Sequence, residues 1–452
     1  MTLYNSPLGD LRRSLDEITS YQEFALSKMT KLISQNHPHY LKKFRELGIE
    51  ISDVSTLAGL ESLPITEKSE LVLNPDNFRL KPAVGVEDEY VIWDIVYSAG
   101  TSSSPTPIYQ TSYDFRGILL AQIRMAEIRG MDYRSRIMNL YPITTHPHGA
   151  WLRANNAAAA LGASITAGMS GRDFGSFELT RKSAEIVNLT VDTNPTVLWG
   201  VPSYIREVLS KVASSGKKLP ELNMIAVSGE PCTSAMRKSL TELAESVSST
   251  AVKVSDSLGA SELQCGLVEC EFGTGFHNPA PELFFLEALD QNGRRVAEGE
   301  IGSLAITHLD RRGTVLLRYL LGDKVQVTYK NCEDCGRGGG RIVAHKGREG
   351  RFTKIRGNLV NLDELLRVLA ENISILEFQI EIHKQSKTDS LSLDELTIRI
   401  VPGPSCNTSD IAEKVSKAIK IKPVVVVVSR EEIWVNENSL KATRIIDSRD
   451  YS

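Results

Sequence analysis

The sequence lacks long apolar runs, a large excess of one charge and a dense set of cysteines. Its longest strongly apolar run, Val424–Val428, has five residues, whereas a helix that spans a bilayer needs about 20. No basic segment followed by an apolar run opens the chain, so we expect no secretory signal. These absences argue against a membrane protein and favour a soluble protein of the cytoplasm.

Charge and composition narrow the class further. The 452 residues include 52 Lys and Arg against 56 Asp and Glu, a balance of −4, which argues against a nucleic-acid partner. With 41% apolar and 24% charged residues, the chain has the composition of a globular protein with a large core. Six cysteines are too few for a disulfide scaffold, but in a reducing compartment some can hold a metal.

The order of predicted elements indicates an α/β fold. Residues 1–90 are predicted to be mainly helical, and the first helix presents an apolar face of Leu11, Leu15, Ile18, Tyr21 and Phe24. From Tyr90 onward, strand-like runs alternate with helical segments, which is typical of a mainly parallel sheet with ligands at the carboxyl ends of its strands. That rule selects four loops, at residues 97–107, 141–149, 228–232 and 255–262.

Particular residues predict where several helices begin and end. Thr111 or Ser112 caps a helix that Gly130 ends, and Thr233 caps another. Pro202 suits the first turn of a helix, and a further helix is expected at Glu178–Leu189.

The later part of the chain predicts a second domain. After about residue 280 the pattern becomes β-rich, with an expected strand at Leu316–Tyr319, and a small α+β unit follows Arg348. We therefore expect a large N-terminal domain, residues 1–347, and a small C-terminal domain, residues 348–452.

The loop Tyr97–Pro107 is the most unusual segment. Six of its eleven residues carry Ser or Thr hydroxyls, which can wrap a polyphosphate together with backbone N–H groups. It lacks the spacing and the Lys of the GxxxxGK[ST] nucleotide loop. Taken alone, it is equally a Ser/Thr-rich surface loop.

Five further segments follow it in order. The series is Ser98-Ala99-Gly100-Thr101, Ser228-Gly229-Glu230-Pro231, Leu258-Gly259-Ala260-Ser261-Glu262, Arg318-Tyr319-Leu320-Leu321-Gly322-Asp323, Gly347-Arg348 and Lys441. This series resembles the adenylate-forming enzymes, and most of all their phenylacetate–coenzyme A ligase branch. The resemblance spans roughly residues 90–450 and includes GREGRFTKIRG from Gly347 and LKATRIID from Leu440.

The resemblance implies an ATP-dependent ligase. Such enzymes join a carboxylate to ATP, release pyrophosphate and pass the acyl group of the acyl-adenylate to coenzyme A, while the small domain rotates, here about Gly350. The implied phosphate-binding residues are Ser98, Gly100, Thr101 and Ser102, and Thr101 is also a catalytic candidate. The implied adenine-binding residues are Gly229, Glu230 and Pro231. Four residues of the segment that leads to Glu262 are also implied to bind the nucleotide cofactor: Ser257, Leu258, Gly259 and Ser261.

The remaining implied roles concern charge. Glu262 would hold Mg²⁺, which takes carboxylate and phosphate oxygens, and it is also a catalytic candidate. Asp323 would accept hydrogen bonds from the ribose, and Arg348 would bind ribose or phosphate. Lys441 would place a positive charge where acyl group and AMP join. Each has a structural alternative, such as a capping carboxylate, a turn residue or a solvated Lys.

Departures from the family pattern keep other functions open. Ser103 and Ser104 replace the second Gly and the Lys of the phosphate loop, Leu258 replaces an aromatic residue beside the adenine, and Gly350-Arg351 replaces an acidic hinge pair. One alternative is transfer of the acyl group to an amine, a hydroxyl or a carrier-protein thiol. Another is a degenerate nucleotide-binding protein that acts through interactions.

Cysteines suggest a separate metal site. Cys332 and Cys335 form a CxxC pair, and Cys270 lies seven residues before His277. These four ligands suit tetrahedral Zn²⁺ in a structural role, with no position left for a reactive water. The alternative is a buried Cys, an exposed CxxC turn and an unrelated His, and Cys265 competes with Cys270 as the fourth ligand.

The acid-binding residues are the least determined. Tyr141, His146 (or its neighbour His148), Trp199 and Ala260 are candidates for the substrate pocket, although Trp199 and Ala260 equally suit the core. Small aromatic or branched acids fit the resemblance. The expected partners are this acid and coenzyme A or another acyl acceptor, with a second copy of the chain as a further candidate.

Overall fold

A computed structural model describes residues 6–82, 87–98, 105–144, 146–147, 149–171, 178–348, 352–355, 358–385, 393–433 and 443–449. Its helices are α1 (Leu15–Asn36), α2 (Pro38–Leu47), α3 (Lys68–Leu73), α4 (Ser112–Arg129), α5 (Gly149–Leu161), α6 (Ser183–Thr193), α7 (Pro202–Ser214), α8 (Ser234–Val247), α9 (Leu362–Ala370), α10 (Thr408–Ile419) and α11 (Arg430–Ile433).

The strands begin with a hairpin and continue through three larger sheets. They are β1 (Ile92–Ser98), β2 (Thr106–Thr111), β3 (Arg136–Asn139), β4 (Ser164–Ala167), β5 (Val197–Gly200), β6 (Met224–Val227), β7 (Lys253–Ser255), β8 (Ser257–Ala260), β9 (Cys265–Val268), β10 (Phe276–His277), β11 (Phe284–Leu289), β12 (Ile301–His308), β13 (Tyr319–Thr328), β14 (Arg341–Arg348), β15 (Phe352–Ile355), β16 (Asn358–Asn361), β17 (Ile375–Lys384), β18 (Asp394–Pro402), β19 (Val424–Val427) and β20 (Ile445–Asp447).

The chain forms two compact units, each built from separate stretches of sequence. The first unit holds residues 1–135, 146–165 and 255–349, and the second holds residues 136–145, 166–254 and 350–452. The C-terminal residues thus share a unit with residues 136–145 and 166–254, and their mobility stays a prediction. Among the described ranges, no helix combines the length and the apolar character that crossing a bilayer requires.

The helix ends follow local side-chain chemistry. The Thr111 hydroxyl accepts the Asp114 N–H at 3.3 Å, and Asp114 accepts the Thr111 N–H at 3.0 Å, so α4 begins with a reciprocal cap. Gly130 ends the helix in a left-handed conformation at φ 96°. The predicted roles of Thr111, Gly130, Pro202 and Thr233 are confirmed.

Two helix predictions need correction. In α1, Leu15 and Phe24 are exposed by 45% and 53%, so the predicted apolar face is wrong at these positions. The buried face instead includes Gln22, whose amide donates to the Pro281 carbonyl at 3.0 Å. Because Gln22 is polar, the helical spacing of apolar residues in the sequence does not reveal this face. The helix expected at Glu178–Leu189 begins only at Ser183, because Glu185 caps the N–H of Lys182 at 2.8 Å.

A five-stranded sheet confirms the predicted α/β fold. Its order is β4-β3-β5-β6-β7, and β5 pairs in parallel with both β3 and β6. Leu198 and Ile225 of the central strands are fully buried against helices such as α7 and α8. The loops 141–149 and 228–232 follow β3 and β6, so the carboxyl-end rule applies to these two.

The first unit contains a seven-stranded sheet of the order β11-β12-β13-β14-β10-β9-β8. Its pairs are antiparallel, and β1 and β2 form a separate antiparallel hairpin. The loop 97–107 therefore follows a strand of an antiparallel hairpin and not a parallel strand, as the rule supposed. The loop 255–262 follows β7, the edge strand of the five-stranded sheet. Ser257–Ala260 within the second of them is itself a strand.

The strand predicted at Leu316–Tyr319 is also wrong, since β13 begins at Tyr319. The Leu316 N–H donates to His308 Nδ1 at 3.1 Å and the Leu317 N–H donates to the Tyr40 hydroxyl at 2.6 Å. Side chains thus take the hydrogen bonds that a neighbouring strand would otherwise supply.

The C-terminal residues form a smaller α+β layer within the second unit. Its sheet has the order β19-β18-β17-β20, and α9 and α10 contribute Leu365 and Val415 to its core. Ile380 and Ile398 at the centre of the sheet are fully buried. Strand β17 pairs in parallel with β20, which follows the predicted catalytic Lys441 by a few residues.

Candidate active site and metal-ligand cluster

The predicted phosphate loop connects the two strands of the first hairpin. Ser98 ends β1 and pairs with Thr106 at the start of β2. The Ser98 side chain is buried, and its hydroxyl has no hydrogen-bond partner among the described residues. Gly100, Thr101 and Ser102 lie outside those residues. Ser98 therefore offers a buried hydroxyl at the point where the loop begins.

Glu262 occupies a buried position with several protein contacts. Its carboxylate accepts a hydrogen bond from the Tyr319 hydroxyl at 3.0 Å, and its side chain is only 6% exposed. Tyr319 begins β13, the strand that carries Asp323 four residues later. One strand thus contributes to holding the predicted magnesium-binding carboxylate and carries the predicted ribose-binding carboxylate.

His308 fixes the backbone at Glu262. Burial, reinforced by the charge of Arg311, lowers the pKa of His308 well below its ordinary value, so its ring is neutral at pH 7. Because Nδ1 accepts the Leu316 N–H, the ring proton resides on Nε2, which donates to the Glu262 carbonyl at 3.1 Å.

Further predicted cofactor-binding residues of this unit lie in the β8–β9 hairpin. Leu258 and Gly259 pair with Leu267 and Gly266. Leu258 and Ala260 are half-buried against the core, and Ser257 is buried. The Ser261 hydroxyl donates to the Tyr97 carbonyl at 3.5 Å, which ties this hairpin to β1.

Asp323 is held on β13 by a neighbouring histidine. Its carboxylate lies 2.9 Å from His345 Nε2 on β14, and it is mostly buried. Its backbone pairs with Arg348, so the two predicted ribose-binding residues face each other on adjacent strands. The Arg348 side chain lies outside the described part. Gly322 precedes Asp323 at φ 84°, a conformation that favours glycine.

His146 lies next to β1. Its ring meets that of Tyr97 edge to face, with 5.0 Å between centroids, and the Tyr97 N–H donates to the Pro147 carbonyl at 2.9 Å. His148 lies outside the described residues. Predicted substrate residue His146 and predicted phosphate residue Ser98 are thus anchored to the same strand.

The second unit carries the predicted adenine loop, Gly229–Pro231, directly after β6. Gly229 has φ 88°, which explains a glycine at this position. The preceding residue, Ser228, shares a hydrogen bond between its hydroxyl and that of Tyr141. Tyr141 and Trp199 are buried, with exposures of 2% and 3%. This burial is compatible with a place in the substrate pocket and equally with a place in the core.

Lys441 lies outside the described residues, but the residues before and after its segment are held. Gln379 on β17 donates to the carbonyls of Ile433 at 3.4 Å and Thr443 at 2.9 Å. The Gln379 side-chain oxygen accepts from Arg399 at 2.8 Å, which orients the amide.

The predicted metal ligands come together in the first unit. The ligand atoms of Cys270, His277, Cys332 and Cys335 all lie within 4.8 Å of one another. Cys270 Sγ lies 3.9 Å from Cys332 Sγ, and Cys335 Sγ lies 3.9 Å from His277 Nε2. Zinc–sulfur bonds of about 2.3 Å at tetrahedral angles place two sulfurs about 3.8 Å apart, so the spacing fits zinc.

The strands explain how these ligands meet. His277 lies on β10, between β14 and β9, and Cys270 follows β9 closely. Burial raises the pKa of the Cys270 thiol to about 11. Burial also opposes ionisation of Cys335, but the hydrogen bond from His277 outweighs it and lowers the pKa of that thiol to about 6. Cys265 lies elsewhere, buried in the main core.

Comparison with known proteins shows which proteins this chain is similar to. No protein-family model matches the chain. The chain is 26% identical over 450 residues to the phenylacetate-coenzyme A ligase of Escherichia coli (strain K12), a match that covers 97% of this chain and 96% of that protein. The chain is thus similar to phenylacetate-coenzyme A ligases along nearly its whole length. It is also 25% identical over 405 residues to the Thermus thermophilus enzyme of that name, across 86% of this chain and 83% of that one.

Solved structures confirm the fold of this chain. A 2-hydroxyisobutyryl-CoA ligase in complex with R3-HIB-AMP matches 99% of this chain and 95% of its own, with a TM-score of 0.77 at 20% identity. The same ligase in complex with 2-HIB-AMP and CoA matches with a TM-score of 0.66 at 21% identity.

Several residues around the predicted site were not found from the sequence. Tyr319 and His308 hold Glu262, and Gln379 holds both ends of the segment that contains Lys441. Tyr319 lies within a motif that the resemblance already marked, so its position was a usable signal. His308 and Gln379 lie outside the motifs, and only the paired strands bring them to these contacts.

Proposed function

We propose that this chain activates a small carboxylic acid with ATP and transfers the acyl group to coenzyme A. The relationship to phenylacetate-coenzyme A ligases along 97% of the chain carries this proposal. The carboxylate oxygen attacks the α-phosphorus of ATP and pyrophosphate leaves. The thiol of coenzyme A then attacks the acyl carbon, and AMP leaves with the oxygen that came from the acid.

Within this proposal, unit one supplies the carboxylates. Glu262 would hold Mg²⁺, which supplies positive charge to the phosphate oxygens. The hydrogen bond from Tyr319 and the neutral His308 fix Glu262 in place before the nucleotide binds. Asp323, oriented by His345, would accept hydrogen bonds from the ribose. The buried hydroxyl of Ser98 would bind a phosphate oxygen.

The other unit supplies the adenine loop and the terminal cation. Gly229–Pro231 would flank the adenine, and Lys441 would stabilise the negative charge that develops as pyrophosphate leaves. We propose a small aromatic acid as substrate, and Tyr141 and His146 as candidates for binding it. Trp199 and Ala260 are further candidates for binding the acid, and like Tyr141 they also suit the core.

The Cys/His cluster would hold structural zinc. Four ligands leave no position for a reactive water, so the ion would stabilise the first unit and take no part in the reaction. The low pKa of Cys335 lets one ligand bind as thiolate at little cost, whereas Cys270 gives up its proton on metal binding.

The test is pyrophosphate release across a panel of carboxylic acids, with and without coenzyme A. We expect acid-dependent release and an acyl-CoA product. Glu262→Gln should lower the adenylation rate at least about a hundredfold and raise the Mg²⁺ requirement, because metal stabilisation of this kind is worth several kcal/mol. Lys441→Ala should also slow adenylation strongly while ATP still binds.

Glu269→Gln is the matched control. Glu269 is as buried as Glu262, at 6% exposure, and accepts the Asp256 N–H at 3.0 Å in the same unit. The control should keep the adenylation rate within a few-fold. A protein that binds ATP but supports no pyrophosphate release with any acid would contradict the enzyme assignment, and an acyl-adenylate that coenzyme A never consumes would contradict the acceptor.

A further inference from the structure

The carboxylate of Glu230 is directed toward protein groups. One oxygen forms an ion pair with Arg444 Nη2, and the other lies 3.4 Å from the Ser203 N–H near the start of α7. A helix N-terminus favours an anion at that position. The Glu230 side chain is 6% exposed. Glu230 therefore connects the adenine loop to both α7 and the C-terminal residues of the same unit.

Arg444 is itself held firmly. Its Nη1 forms an ion pair with Glu377, a residue with no exposed side chain, and donates to the Phe378 carbonyl at 2.8 Å. Its guanidinium lies 4.5 Å from the centre of the Phe378 ring. These contacts orient the planar guanidinium. Its Nη2 therefore forms the ion pair with Glu230 at little further cost in side-chain entropy.

Glu377 is fixed in turn. It accepts the Phe378 N–H at 3.0 Å, and its second oxygen lies 3.7 Å from Arg430 and 3.5 Å from the Ser203 hydroxyl. Arg430 also pairs with Glu207 of α7. Ser203 thus contacts Glu230 through its backbone and Glu377 through its hydroxyl, so the network closes on itself.

We propose that Arg444 is a positioning residue of the adenine loop, Gly229–Pro231, and that it acts through Glu230. This role rests on the proposed function, since the loop binds adenine only if the chain adenylates. Both oxygens of Glu230 bind protein groups, so Glu230 serves adenine binding through the conformation that it imposes on the loop. The C-terminal residues then control nucleotide affinity independently of Lys441.

The test compares Arg444→Gln with Arg449→Gln. Arg449 is also a buried, ion-paired residue, but its partners Asp394, Asp447 and Thr353 lie within the C-terminal residues. We expect Arg444→Gln to raise the Kd for AMP and the KM for ATP about tenfold, within the range that coupling between sites commonly gives, while kcat changes less. Arg449→Gln should lower the melting temperature but keep the Kd.

Arg444→Lys is the second variant, useful if the Gln variant folds poorly. A single ammonium cannot bridge two carboxylates as the guanidinium does, so the AMP affinity should lie between wild type and Arg444→Gln. An unchanged Kd in both Arg444 variants, an equal loss in Arg449→Gln, or a fall in kcat at constant KM would overturn the positioning role. Wild-type protein that binds no AMP would instead overturn the proposed function itself.

Discussion

Two clusters of polar groups, one in each unit, differ in the chemistry of their members. In the first unit, three thiols and an imidazole converge within 4.8 Å, and all are groups that donate electron pairs. In the second unit, acids and bases alternate from Glu230 through Arg444, Glu377, Arg430 and Glu207 to Lys211.

The two clusters differ in the source of the charge that compensates them. The alternating network of the second unit contains three acids and three bases, so its charges compensate within the chain. If the Cys/His cluster of the first unit holds zinc as proposed, it would reach its full stability only with that cation supplied from outside. The first cluster should therefore respond to metal, and the second to the loss of any one partner.

The largest expected effect is loss of the metal. Cys332→Ser should abolish zinc binding and lower the free energy of unfolding by several kcal/mol, because metal binding and folding are coupled at such sites. Thermal melts with metal analysis measure this effect. Cys265→Ser is the control, since Cys265 is buried outside the cluster and should keep the metal. A melt that exhaustive chelation leaves unchanged would refute the structural zinc.

A smaller effect is expected in the second unit. Glu377→Gln keeps the shape of the side chain but leaves Arg444 and Arg430 without their shared carboxylate. Breaking a buried ion pair on one side typically costs about 3–5 kcal/mol, and the amide should recover part of that. Denaturant unfolding measures the change. Chelation of metal should not alter this change in the free energy of unfolding. A change that depends on zinc would contradict the independence of the two clusters.

Low pH should destabilise the first unit more than the second. Burial lowers the pKa of His37 to about 3 and that of His39 to about 4, and both lie in the first unit together with His308. Because the unfolded chain takes up protons below about pH 6.5 and these buried rings do not, stability is complete above that pH and falls as pH falls. Each ring contributes a slope of up to about 1.4 kcal/mol per pH unit.

His37→Asn sharpens this prediction. The His37 ring accepts the Tyr40 N–H at 3.2 Å and so caps α2, and the Asn side chain can keep that hydrogen bond. Unfolding by urea at pH 7 and pH 5 should show a smaller pH dependence in the variant than in wild type. Equal pH dependence in the two proteins would mean that His37 takes no part in it.

The sequence predicted the parallel sheet well, because its strands and helices alternate over short distances. Thr111, Gly130 and Thr233 mark helix ends by local chemistry that needs no tertiary contact. The seven-stranded antiparallel sheet was harder to predict. His277 lies on a two-residue strand and pairs with Arg341, more than 60 residues away, so no periodic pattern announces it.

In the candidate site, too, some features could be predicted from the sequence and others could not. The CxxC spacing of Cys332 and Cys335 pointed to a metal cluster, and the structure assembles it with Cys270 and not Cys265. Arg444 lies in the segment LKATRIID that the resemblance marked, but a sequence with 52 Lys and Arg does not tell which cation meets which acid. Its role depends on the pairing of β17 with β20, which places it beside Glu377.

Transfer of an oxygen atom tests the central claim most directly. An accepted acid labelled with ¹⁸O in its carboxylate is converted with ATP, Mg²⁺ and coenzyme A, and the products are weighed by mass spectrometry. Attack of the carboxylate on the α-phosphorus predicts one labelled oxygen in AMP and none in pyrophosphate. Label in inorganic phosphate, or acyl-CoA formed with unlabelled AMP, would contradict adenylation.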